Sequence, residues 1–111
     1  MRQVVLNELR PTEITAVRGF LEREARAGAL PEVFWLSMPE ELLEPLQREH
    51  APTCGPFVFG IELGDDFASF ELLVRSQGKL HCGCTAYATS RQRESLLRFI
   101  DRLVEETGLR A

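Results

Sequence analysis

Apolar residues recur with two different periods along this chain, and the change of period marks out its elements. Phe57-Val58-Phe59-Gly60-Ile61-Glu62-Leu63 and Ala68-Ser69-Phe70-Glu71-Leu72-Leu73-Val74 alternate with the period of two expected of strands, and Gly64-Asp65-Asp66 between them has turn chemistry. A loop centred on Asp65-Asp66 sets Leu63 against Ala68, Ile61 against Phe70, Phe59 against Leu72 and Phe57 against Val74, so one face of the hairpin is apolar throughout. A third strand is expected over residues 79–87. A two-residue loop at Gln77-Gly78 would turn His81, Gly83 and Thr85 onto the apolar face. A three-residue loop, Ser76-Gln77-Gly78 with the glycine left-handed, instead brings Leu80, Cys82, Cys84 and Ala86 there, and it is the expected register because it completes that face.

Elsewhere the spacing is helical. Pro11-Thr12-Glu13 starts a helix whose apolar positions are Ile14, Val17, Leu21 and Ala25, with Gly28 as its stop. Ser37 and Glu40 make a capping box for a short helix burying Leu42, Leu43 and Leu46 and ending near His50, with Pro45 as a bend inside it. Thr89 and Gln92 make a second box, after which Leu96, Phe99, Ile100, Leu103 and Val104 trace one face as far as Gly108. Residues 3–9 read as a short N-terminal strand or extended arm, and Leu30 to Met38 as an apolar stretch whose Phe34 and Trp35 are candidates for contact with a partner, core filling beneath the sheet being the other reading. The expected fold is α+β over a single domain, 1–111: a three-stranded antiparallel meander packed against helices, in the order helix-helix-β-β-β-helix.

Composition narrows the function without naming it. At 111 residues, 44% hydrophobic and 27% charged, the chain fits one globular domain. It has no run of about 18 apolar residues and no secretory signal pattern at its start, so the expected compartment is the cytoplasm and no membrane association is expected. Seventeen acids against thirteen bases leave a net charge of -4, which opposes binding to a polyanion. No phosphate-binding glycine loop, His-Glu-x-x-His, Gly-x-Ser-x-Gly or dinucleotide fingerprint occurs, so no catalytic residue is assigned and the chain reads as non-enzymatic.

The three cysteines, an odd number without an export signal, are expected as thiols rather than as a disulfide framework. His50-x3-Cys54 with Cys82-x-Cys84 matches the ligand types and count of a structural zinc site. In a straight meander, at about 4.8 Å per strand and 3.3 Å per residue, Cys54 would lie nearly 20 Å from Cys82, so such a site requires the Pro52 to Pro56 segment to fold back. Burial as small core residues is the other reading of the cysteines, and it leaves the chain without a cofactor.

The outer sheet face offers a binding surface: Gly60, Glu71 and Gly83 form one row across three strands, with His81 and Tyr87 on the same face and Arg75 near its end. The helix-meander-helix order of residues 39–107 resembles that of double-stranded-RNA-binding domains. That resemblance implies phosphate contacts from the start of the final helix, where Arg91 and Arg93 stand. The family's lysine-rich pattern is missing, since the chain has one lysine, and RNA binding is expected to be weak or absent. Two function readings follow: a protein-contact domain working with a partner or as a homodimer, and a zinc-stabilised domain built on His50, Cys54, Cys82 and Cys84.

Overall fold

The computed structural model describes residues 2–78 and 83–109, so His81, Cys82 and the first half of the expected third strand lie outside the described residues. In chain order the elements are β1 (Gln3–Leu6), α1 (Pro11–Glu24), β2 (Arg26–Ala27), β3 (Val33–Ser37), a 3-10 turn (Glu40–Leu42), α2 (Pro45–Cys54), β4 (Phe57–Leu63), β5 (Ala68–Ser76), β6 (Ala86–Tyr87) and α3 (Ser90–Thr107). The class is α+β with an antiparallel sheet, as the periodicity implies. The element order differs, because the sheet runs β1-β5-β4-β3-β2 with β6 also on β5. The expected helix, three-stranded meander and helix are present in order as α2, β4, β5, β6 and α3, with β4–β5 and β5–β6 both antiparallel, but β1, β2 and β3 join the same sheet, so the meander alone does not form it.

The hairpin of β4 and β5 is the centre of the sheet. Leu63 faces Ala68 and Ile61 faces Phe70, as the alternation requires, and Gly64 N–H closes the turn on Phe67 O at 2.8 Å. Past Gly60 the register slips: Phe59 faces Val74 rather than Leu72, and Phe57 faces Ser76 rather than Val74. The irregularity takes up two extra residues on β5, so parity survives and the inward face stays apolar.

The outer edge of β5 is shared. β1 lies along its first half, from Leu6 opposite Ala68 to Gln3 opposite Glu71, and β6 along its second, with Tyr87 opposite Leu73 and Ala86 opposite Val74. Leu72 serves both neighbours, donating its N–H to Arg2 O (3.0 Å) and accepting from Ala88 N–H (2.8 Å). Ala86, not Leu80, therefore stands across from Val74. The three-residue loop is wrong, Cys84 precedes the strand rather than lying within it, and Gly78 is not left-handed. Leu30 to Met38 contains β3, whose Phe34 and Trp35 face Ile61 and Gly60.

Proline chemistry corrects the second helix. Pro45 is its first residue, where a missing N–H leaves nothing unbonded, so it begins α2 instead of bending it. Of the expected leucine stripe, Leu42 and Leu43 are partly buried against the core but precede α2, Leu46 is 47% exposed, and the buried residues of α2 itself are Gln47 and Cys54. In contrast, α3 follows its pattern: Thr89 caps it, Gly108 ends it, and Leu96, Phe99, Ile100 and Leu103 are buried. With Val17, Phe20 and Leu21 of α1 they cover the inward face of the sheet, Phe20 meeting Phe99 edge-on at 5.4 Å between ring centroids. No helix among the described residues is long and apolar enough to cross a membrane.

Two buried amides, Gln92 and Gln47, meet within this packing. Gln92 exchanges hydrogen bonds with Thr89 in the capping box, and its side-chain N–H2 donates to Leu42 O and to Gln47 Oε1, each at 2.9 Å. Gln47 Oε1 also accepts the Glu44 N–H that opens α2 (2.9 Å). Replacing Gln92 with leucine keeps the volume but leaves the Leu42 carbonyl without its donor. The expected loss is about 1–3 kcal/mol in urea melts, whereas Glu105→Gln on the exposed face of α3 should change stability by less than about 0.5 kcal/mol.

Candidate metal centre

The helical repeat places His50 and Cys54, four residues apart, on one face of α2. His50 is half-buried and Cys54 is 2% exposed, with Cys54 Sγ 3.9 Å from His50 Nδ1. After Cys54 the chain turns through Gly55-Pro56 directly into β4. The far end of β5 returns to this corner, where the Cys54 carbonyl accepts bonds from Ser76 Oγ–H and from Gly78 N–H (2.9 Å), and Gln77 N–H donates to Pro56 O (3.0 Å).

Gly78 makes that return feasible. A Cβ at this position would lie 2.6 Å from both the Gly55 and the Thr53 carbonyl oxygens, so backbone meets backbone here with no room for a side chain. Thr85 Oγ1 then accepts the Ser76 N–H (3.3 Å), which draws the segment before β6 over the same corner. Cys84, 2% exposed, arrives beside Cys54, and the ligand atoms of His50, Cys54 and Cys84 all lie within 4.8 Å of one another. The fold-back that a metal site demands is thus made by β5, its glycine and α2. Sequence reasoning took Gly78 for turn chemistry and gave Ser76, Gln47 and Gln92 no part in the site.

The sulfur atoms are in different states. Cys54 carries its thiol, while Cys84 is disulfide-bonded, which corrects the expectation of three thiols. Both belong to the main hydrophobic cluster, as the packing reading requires. Cys82 lies outside the described residues.

The remaining candidates separate. Phe34 is core, 2% exposed, with the Arg18 guanidinium 5.9 Å from its ring centroid. Trp35 lies half-buried on the opposite sheet face, over Gly60. On that face Arg75 binds Glu71 through two hydrogen bonds of 2.9 Å, and the bonded carboxylate raises the Arg75 pKa above its ordinary value. Tyr87 is 41% exposed at the sheet edge, beneath the Arg2 guanidinium at 4.7 Å. Gly83 leaves the proposed row: Gln3 of β1 stands opposite Glu71, and Gly83 lies in an exposed turn with nothing within 4 Å of where its Cβ would be.

Comparison with known protein families, with curated proteins and with solved structures found no match to this chain.

The two glycines therefore predict opposite outcomes. A side chain at Gly60 would collide with the Glu71 carboxylate and approach the Trp35 ring at 3.3 Å, so Gly60→Val should destabilise by about 1–3 kcal/mol through overpacking and a displaced Glu71–Arg75 pair. Gly83→Val should leave the denaturation midpoint nearly unchanged. Equal midpoints for both variants would contradict the assignment of the outer face.

Proposed function

We propose that this chain is a small zinc-fastened domain in its thiol form, with His50, Cys54 and Cys84 as three ligands and Cys82, two residues before Cys84, as the fourth. The observation that carries the reading is the convergence of one imidazole and two sulfur atoms, drawn from α2 and from the segment before β6, within 4.8 Å. Thiolates with an imidazole are the donor set of closed structural zinc sites. A second support is the weakness of α2 as a packed element, since a helix burying only a glutamine and a cysteine gains little from apolar contact. Metal at its C-terminal end would dock it, because such binding contributes directly to folding.

The fastened domain works, on this reading, without catalysis and in the cytoplasm, through contact with a protein partner or a second copy of itself. Its surface for that contact is the sheet face of Trp35, Gly60, Glu71 and Arg75, which line one shallow depression with Val33 and Gln3. Net charge -4 favours a protein over a nucleic acid.

The test is metal content. Tag-free protein purified with a thiol reductant should hold one zinc per chain by elemental analysis, and Cys54→Ser or His50→Ala should lower that occupancy. Chelation should lower the melting temperature of the wild type and have less effect on either variant. Reduced wild-type protein that stays metal-free after zinc is supplied, and melts identically with chelator, would remove the reading and leave the cysteines as core.

A further inference from the structure

Among the described residues, the sulfur of Cys84 is the ligand atom of the centre found in a second chemical state. It is disulfide-bonded, yet it remains within 4.8 Å of Cys54 Sγ and of the His50 ring nitrogen. A disulfide sulfur cannot also serve as a thiolate ligand, and zinc requires the thiolate. The backbone position thus serves two states that exclude each other. We infer that Cys84 is a thiol–disulfide exchange site at which oxidation expels the metal, so that zinc occupancy follows the thiol redox poise around the protein. This rests on the zinc reading of the same residues.

The chemistry balances with a small-molecule disulfide, RSSR, as oxidant. A cysteine thiolate of the centre attacks one sulfur of RSSR; the new S–S bond forms as the old one breaks, and the first RS⁻ leaves with its electron pair. A second cysteine thiolate of the chain displaces the other RS⁻, closing the protein disulfide at Cys84. Two thiolates have been oxidised, one RSSR has been reduced to two thiolates, and the zinc ion, its ligand set broken, dissociates. Cys54 and His50 stay in place 3.9 Å apart, two donors where a closed site needs four. Reduction restores the thiolate beside them without any rearrangement of α2, because the Cys54 carbonyl is held by Ser76 and Gly78.

Linkage fixes the size of the effect. Since only the thiol form binds, free zinc at about ten times its dissociation constant should shift the equilibrium toward that form by about tenfold. The experiment takes reduced, zinc-loaded, full-length protein, adds oxidised glutathione, and follows zinc release with a chromophoric chelator alongside a thiol count. Zinc should leave in step with the loss of two thiols and return after reduction. Extra zinc should raise the oxidised-glutathione ratio needed for half-oxidation by about tenfold under the linkage condition above. If the reduced protein takes up no zinc, the zinc reading and the switch both fall. If it takes up zinc and retains it while the Cys84 disulfide forms, or if added zinc leaves the oxidation midpoint unmoved, the switch alone falls and the metal centre stands. His50→Ala separates packing from ligation, because it should oxidise with no zinc dependence while keeping the same thiol count.

Discussion

The side-chain amide of Gln92 decides where α2 lies. It is 1% exposed, inside the first turn of α3, and its N–H2 donates to the Leu42 carbonyl and to Gln47 Oε1 at 2.9 Å each. A buried amide is costly unless bonded, so the 3-10 turn and the start of α2 must sit where those acceptors can be reached. Pinned there, α2 projects toward the end of β5, which places His50 and Cys54 at the corner where Cys84 arrives. One polar network at the N-terminal end of the helix thus sets the position of the chemistry at its C-terminal end.

What the sequence reveals depends on whether local pattern or distant contact decides each element. The helix over 90–107 and the Leu63/Ala68 and Ile61/Phe70 pairs follow from spacing and turn chemistry, because their determinants are neighbours in the chain. The edge of β5 does not. β1 and β6 divide it end to end, and no local feature of Gln3–Leu6 or Ala86–Tyr87 says that they meet the same strand. Pro45 illustrates a third case: the residue is legible, but a bend and a first-turn position look alike until the capping box is found at Glu44–Gln47, immediately before Pro45, and not at Ser37–Glu40.

The centre was legible in kind and not in distance. One histidine and three cysteines announce a donor set, while a straight chain keeps them far apart. Two glycines absent from that inventory change the geometry. Gly78 lets the end of β5 press against the carbonyls of Thr53 and Gly55, and Gly60 leaves space for the Glu71 carboxylate on the other face. Both show as glycines in or beside strands, a signal of close approach. What approaches cannot be read from the glycine itself: backbone in one case, a paired carboxylate in the other.

Burial of Cys54 and Cys84 in the hydrophobic cluster is explained by packing alone, since a cysteine sulfur, thiol or disulfide, is a small apolar group. Packing holds α2 only lightly, through buried Cys54, partly buried Ala51, and Leu42 and Leu43 just before the helix. The hydrogen bonds at the two ends of α2 each contribute only about 0.5–1.5 kcal/mol net. A structural zinc site contributes on the order of 10 kcal/mol of apparent binding energy. On the zinc reading the difference in scale assigns the roles: Gln92 and the Cys54 carbonyl determine where α2 docks, and the sulfur chemistry determines how firmly. The same element would then be rigid with metal and loose without it, which makes α2 the part of the fold whose stability should respond most to the redox state of Cys84.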